Sequence, residues 1–217
     1  MMKSNNELIR LYKDAPFRYK LYTLIRVAIC PLYEIEKYVP GKGKILDFGC
    51  GHGIFANILA MGASDRNVIG IDIMEDKIKV AKASSSGRNN IGFKTGDIRE
   101  VLARDERVEC ITLLDTLCYL SLDEKKDLLK RLYRYLESGG LLVIKCIQER
   151  PLLKYWWTLF HMATIDKFIH RNFSQNSYFM KRDSYMTLLK DMGFKVEYVD
   201  MSKGYPYPHC LYICSKR

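Results

Sequence analysis

Between residues 44 and 147 the chain alternates short apolar runs with stretches whose apolar residues recur every three or four positions. Lys44 to Phe48, Val68 to Asp72, Ile91 to Lys94, Val108 to Leu114 and Leu141 to Ile147 predict five strands. The fifth is apolar almost throughout, as a strand covered on both faces must be. A helix is predicted from about Ile54, with Phe55, Ile58 and Leu59 on one side, and another from Asp76 to Ala83. Ser121 followed three residues later by Glu124 reads as a capping box. The helix it opens aligns Leu128, Leu129, Leu132 and Leu136 and is expected to run to Gly139-Gly140. Farther on, Asp183 and Ser184 predict the cap of a helix ending at Gly193. Phe194 to Met201 reads as a sixth strand and Cys210 to Cys214 as a seventh.

Strands alternating with helices imply a parallel sheet with right-handed crossovers. Only Ser202 to His209 separates the last two strands, so those two are expected to pair antiparallel. A chain of 217 residues suits one well-buried domain. The expected organisation is an N-terminal helical lid segment over residues 1–43 and a main domain over 44–217, with an aromatic and basic insertion at about 148–182.

The net charge of +10 changes the picture only once it is located. Residues 1–43 hold eight Lys/Arg against four Asp/Glu, and residues 148–182 hold six against two, so most of the excess flanks the regular part of the chain. The seven cysteines show no paired framework and no C-x-x-C, which points to free thiols and gives no metal site. The apolar stretch from Leu21 to Tyr33 is interrupted by Arg26 and Pro31 and is too short to span a bilayer. No signal peptide is evident, and a cytoplasmic protein, able to lie peripheral to a membrane, is expected.

The chemistry concentrates in ILDFGCGHG, residues 45–53. Glycines at every second position after a strand let a ligand approach the backbone closely. The dinucleotide fingerprint G-x-G-x-x-G would need glycine at 54, which is Ile54, and no Gly-Lys-Ser/Thr follows for a nucleotide phosphate. What stands is Asp47-x-Gly49-x-Gly51-x-Gly53, with Asp72 ending the second strand and Asp97 following the third. A carboxylate at Asp72 can accept from both hydroxyls of a ribose, and Asp97 can reach an exocyclic amine. Ligands of such sheets sit at the carboxyl ends of the strands, where all three aspartates fall.

This set resembles the class I S-adenosylmethionine-dependent methyltransferases, strongly over 44–147 and in layout to the C-terminus. The resemblance implies an α/β, Rossmann-like, seven-stranded, mostly parallel sheet with helices on both faces and the last strand antiparallel. It implies S-adenosylmethionine as cofactor and S-adenosylhomocysteine as product. It assigns cofactor contacts to Asp47, Gly49, Cys50, Gly51, Gly53, Asp72, Ile73, Asp97, Ile98 and Asp115. His52, in the loop, is either directed at the cofactor carboxylate or simply exposed.

For the acceptor the sequence offers candidates. The layout places Gly204 to His209 beside the acceptor pocket, so Tyr205, Tyr207 and His209 are candidate lining residues, with His209 and His161 the candidate catalytic bases. The fourth strand ends in LLDTLCYL, without the D/N-P-P-Y ending of many adenine and glutamine N-methyltransferases, and the Pro-Cys of cytosine C5 enzymes is absent. Aromatics lie among aliphatics and basic residues in both flanking segments, Phe17, Tyr19 and Tyr22 beside Arg18, Lys20 and Arg26 in the first and Trp156, Trp157 and Phe160 in the second. That combination suits a small or lipid-like acceptor with an anionic part, a membrane surface or an acidic carrier protein. An RNA acceptor is the alternative, because aromatics can stack bases while Lys/Arg meet phosphates; a non-catalytic cofactor-binding subunit ranks below it.

Overall fold

A computed structural model describes residues 2–101, 105–156, 158 and 179–217. Three helices come first: α1 (Met2–Arg10), α2 (Phe17–Ile29) and α3 (Leu32–Glu36). Then follow β1 (Gly43–Phe48), α4 (Ile54–Gly62), β2 (Arg66–Asp72), α5 (Glu75–Ser84), β3 (Ile91–Thr95), α6 (Ile98–Val101) and β4 (Val108–Leu114). A 3-10 turn at Leu117–Tyr119 leads to α7 (Leu122–Tyr135), β5 (Leu136–Ile147), α8 (Arg182–Asp191), β6 (Phe194–Asp200) and β7 (His209–Lys216).

The seven strands form one sheet in the order β3-β2-β1-β4-β5-β7-β6. β1 to β5 pair parallel, while β7 lies antiparallel to both β5 and β6. This is the mostly parallel, Rossmann-like sheet that the alternation and the resemblance implied.

Alternate residues of the central strands feed two cores. Leu46, Ile111, Leu142 and Ile144 face one, with Leu128, Leu129 and Leu132 of α7 and Tyr185 and Leu189 of α8. Ile45, Cys110 and Val143 face the other, with Leu8 of α1, Ile35 of α3, most of α4, and Ile78 and Ala81 of α5. Both faces being covered explains the near-continuous apolar runs of the central strands.

Two helix ends are set by other residues than expected. α7 opens on the capping box formed by Ser121 and Glu124 but stops at Tyr135, and Leu136 already pairs with Val108 as the first residue of β5. The heptad-like leucine spacing extended the helix reading, but Leu136 is buried from a strand, and a register shift between Val108 and Cys110 absorbs the irregular pairing. α8 begins at Arg182 with Lys181 as its N-cap residue and no side-chain capping bond, so Asp183 lies inside the first turn, where its charge suits the helix dipole, rather than at the cap.

The edge of the second core is fastened by one side chain. Arg66, at the start of β2 and only 4% exposed, pairs with Glu36 of α3 and donates to the carbonyls of Pro40, Val39 and Leu59. Replacing it leaves a carboxylate and three carbonyls without their donor. Arg66→Met is expected to lower unfolding free energy by about 3 kcal/mol or more, read as a shift in urea midpoint; a loss within 0.5 kcal/mol, about the range of an ordinary surface substitution, would rule out this role.

Candidate active site

The carboxyl ends of β1 to β5 open onto a cleft of about 1220 Å³, roofed on one side by α2. Its floor begins where β1 ends. Gly49 and Gly51 both take the left-handed region (φ 75° and 56°). A Cβ on Gly49 would overlap the Thr116 side chain, so the loop packs tightly on the turn after β4. A Cβ on Gly51 would meet only Lys77, at 4.0 Å, so that residue's bare side faces open cleft. The Gly51 amide donates to Asp72 Oδ2 and the Met74 amide to Asp72 Oδ1, both at 2.9 Å. The carboxylate at the end of β2 therefore holds the loop while facing the cleft. Asp97, after β3, pairs with Arg131 of α7 at 3.3 Å, and its amide donates to Glu100.

Asp47 lies beneath the loop, 2% exposed. Thr112 of β4 donates to its Oδ1 at 2.7 Å, while Oδ2 has no partner among the described residues. Burial, reinforced by the neighbouring Asp72 charge against the Thr112 bond, raises its pKa to about 7.

His52 is buried, not exposed. Its ring meets Tyr12 and Tyr22 edge-on and Tyr19 at a tilt, its Nε2 lies 3.2 Å from Thr23 Oγ1, and its carbonyl accepts from the Tyr12 hydroxyl at 3.0 Å. It ties α2 and the turn before it to the glycine loop. A second tie runs from the Tyr19 hydroxyl to Asp76 at 2.8 Å.

At the other end of the cleft stands Asp115, a non-glycine residue at φ 57° just after β4. Lys145 of β5, 0% exposed, donates to both its oxygens at 2.7 and 2.6 Å, and Arg26 of α2 donates to Oδ2. Burial alone would raise the Asp115 pKa; Lys145 and Arg26 outweigh it and hold the carboxyl well below its usual range. His209, first residue of β7, is 2% exposed. Its Nε2 lies 2.8 Å from the Ile29 carbonyl, which can only accept, so Nε2 carries the proton. Nδ1 then bears a lone pair and has no partner among the described residues. Burial, and next the charge of Lys145, lower the pKa of this imidazole to about 3.

Asp47, Gly49, Cys50, Gly51, Asp72, Ile73, Asp97, Asp115, Tyr207 and His209 thus reach one cleft. Three sequence candidates do not line it. Gly53 packs its bare side against Phe93, where a Cβ would come within 2.7 Å. Ile98 is wholly buried in the core, because it opens α6 facing the sheet. Tyr205 meets the His209 ring edge-on from outside the lining. His161, Trp157 and Phe160 lie outside the described residues. Lys145 and Thr112 escaped the sequence reading, and Arg26 and the tyrosines of α2 entered it only as part of the lid segment over 1–43, with no individual role. The signal for two of them was present: a lysine inside LLVIKCI and an arginine inside TLIRVAI are charges where the pattern demands apolar residues. No group of three or more His, Cys, Asp or Glu among the described residues is arranged to hold a metal ion.

A glycine loop, acidic residues after three successive strands and this strand order define the class I S-adenosylmethionine-dependent methyltransferases, and the chain belongs to that family. The model of the family described as "Methyltransferase domain" matches residues 26–199. A carboxy-S-adenosyl-L-methionine synthase of Shewanella piezotolerans is 30% identical over 114 residues, covering 50% of this chain and 46% of its own. A malonyl-[acyl-carrier protein] O-methyltransferase of Methylococcus capsulatus is 24% identical over 180 residues, covering 81% of this chain and 61% of its own. The chain spans about half the length of these curated relatives. In fold it is similar to the solved PH0226 protein of Pyrococcus horikoshii, with TM-score 0.67, 23% identity, and 90% of this chain and 91% of that one covered.

Two buried groups give the stability a pH signature. Between about pH 4 and 7 the folded protein keeps a proton on Asp47 that the unfolded chain releases, so this group makes stability fall as pH rises and level off above 7. His209 is neutral in the fold down to about pH 3 but protonates near 6.5 when unfolded, so it makes stability rise from about 3 to 6.5. The two slopes oppose each other in the native protein. Urea unfolding across this range is expected to show stability rising with pH in Asp47→Asn and falling in His209→Gln; identical profiles in the two variants would overturn both assignments.

Proposed function

We propose that the protein transfers a methyl group from S-adenosylmethionine to an oxygen or nitrogen of a small or lipid-like acceptor, anionic or carried on an acidic protein, releasing S-adenosylhomocysteine. The observation that carries this reading is the convergence of Asp47, Asp72, Asp97 and the bare side of Gly51 on one cleft. The residues present fit the cofactor. Asp72 keeps lone pairs for ribose hydroxyls beyond its two backbone bonds, Asp97 stands at the far end for the adenine, and the orphaned Oδ2 of Asp47 suits a ligand carrying positive charge. When bound, the cofactor supplies a sulfonium methyl, the electrophile of an in-line displacement.

This chain's own residues contribute position and dryness. α2, pinned by Arg26, Thr23 and Tyr19, walls the cleft from solvent and fixes where an acceptor can enter. His209 borders the cleft, and its buried Nδ1 lone pair is unpartnered among the described residues. With its basicity lowered by burial it suits orienting an O–H or N–H better than keeping the proton at neutral pH, so the proton passes on to solvent.

The lipid-like or carrier-bound class is supported by the outer face of α2. Phe17, Leu21, Leu24 and Ile25 are exposed there beside Arg18 and Lys20. On the segment after β5, Leu152, Leu153 and Trp156 are exposed as well. No described helix is long and apolar enough to cross a membrane, so any contact with a leaflet would be peripheral.

Two substitutions separate the cofactor site from the fold. Asp72→Ala is expected to weaken S-adenosylmethionine binding by about 100-fold. Gly51→Ala meets open space, so it should remain folded with a strain of about 1–2 kcal/mol, yet lose affinity because its methyl enters the cleft. Equilibrium dialysis with labelled cofactor, beside thermal melts, reads both; tight binding by either variant would sink the assignment. Incubating the protein with labelled S-adenosylmethionine and a cell lysate, then separating organic, aqueous and acid-precipitable fractions, identifies the acceptor class.

A further inference from the structure

The cleft is electrically divided. Its cofactor end holds four aspartates, Asp47, Asp72, Asp76 and Asp97, against Arg18, Lys77 and Arg131. The opposite end holds Arg26 and Lys145 around a single carboxylate, Asp115. Glu124 also borders the cleft but is engaged with Ser121 in the capping box of α7. A structural pin needs one cation for one carboxylate; here a second cation is surplus, and the trio keeps one net positive charge in a largely buried place. Such a charge is costly unless an anion offsets it. A monoanion brings the trio to neutrality, whereas a dianion would leave a buried negative charge uncompensated.

Arg26 is the accessible cation, its side chain 20% exposed against 0% for Lys145. Among the described residues it meets Asp115 through Nη2 alone, and a guanidinium carries five N–H donors in a fork that fits a carboxylate. His209 adds an independent observation. Its side chain is almost wholly buried, it borders the cleft, and its Nδ1 lone pair faces no donor. On β7 it pairs with Ile147, two residues along β5 from Lys145, so it belongs to the same end of the cleft.

Resting on the methyltransferase reading above, we propose that Arg26, Lys145 and His209 form the recognition site of the acceptor: a monoanionic carboxylate is taken by Arg26, backed by the charge of Lys145, while His209 Nδ1 accepts a hydrogen bond from an O–H or N–H of the same molecule. The acceptor class is therefore a small hydroxy- or amino-carboxylate, or a lipid or carrier-borne chain ending in one. Its carboxylate anchors it, and its O–H or N–H is the group held toward the reaction.

The test uses the acceptor pool of a cell. A deproteinised extract is separated on an anion exchanger at pH 7, and each fraction is assayed with the full chain and methyl-labelled S-adenosylmethionine. Accepting activity is expected in a retained fraction, unaffected by phosphatase and destroyed when carboxyls are capped with carbodiimide and methylamine. Activity in the unretained fraction, activity destroyed by phosphatase, or label confined to acid-precipitable RNA overturns the proposal. With the active fraction, Arg26→Gln is expected to raise the acceptor KM about tenfold or more, with partial rescue in Arg26→Lys and with cofactor affinity unchanged by dialysis. An equal loss of cofactor binding and kcat would make Arg26 a pin for α2 or the holder of the cofactor's own carboxylate, and overturns the proposal. If no fraction is labelled, dialysis decides which idea has failed. A protein that binds no S-adenosylmethionine refutes the methyltransferase reading. One that binds it is then melted with sodium benzoate, benzamide or phenyl phosphate at equal ionic strength. Stabilisation by benzoate alone, lost in Arg26→Gln, supports the carboxylate site, and any other order refutes it.

Discussion

Lys145 sets the constraint from which much of the site follows. It stands in a strand covered on both faces, its side chain 0% exposed at the base of the cleft, and so its charge is met by an anion within the fold. Asp115 meets it by leaving β4 in a left-handed turn, a conformation costly for a non-glycine residue and stable only where the surroundings enforce it. The turn brings Thr116 against Gly49, so the loop after β1 cannot carry a side chain there. Asp115 in turn draws Arg26, and Arg26 seats α2 over the cleft. One buried ammonium thereby links the geometry of the β4 turn, the glycine loop and the first long helix.

The two ends of the cleft use buried charge in opposite senses. At the glycine-loop end an aspartate is short of a cation: Asp47 is met by the Thr112 hydroxyl and the Ala56 backbone, both neutral, and burial pushes its carboxyl toward neutrality. At the acceptor end a carboxylate has more cation than it needs. A cationic ligand at the first and an anionic one at the second each relieve an imbalance already present, so selectivity is built into the electrostatics before any shape is considered.

The central architecture was legible because both faces of the sheet are buried: runs such as VECITLL and LLVIKCI, with helices between them, left little freedom of topology. The glycine-loop end of the cleft was legible for a similar reason, since its glycines and strand-end aspartates are set by local spacing. The end around Asp115 was not, because it is assembled from residues far apart. Arg26 reaches Asp115 across 89 positions, and His209 reaches Ile29 across 180. Even so, each of the two cations announced itself as a charge within an apolar run. The misplaced end of α7 has a different cause: Leu136 satisfies helical spacing and strand burial equally, and pairing with Val108 decided between them.

The clasp of tyrosines around His52 bears on how such a protein can diversify. The helix that walls the acceptor space also grips, through Thr23 and Tyr19 and with Tyr12 ahead of it, the loop on which the cofactor would rest. An exchange of the first forty residues for those of a relative with another acceptor would therefore import a foreign grip on that loop. New acceptors are reached more easily by changing single side chains on the inner face of α2 than by trading the helix whole, because the parts that choose the molecule and the parts that hold the donor are not separate modules.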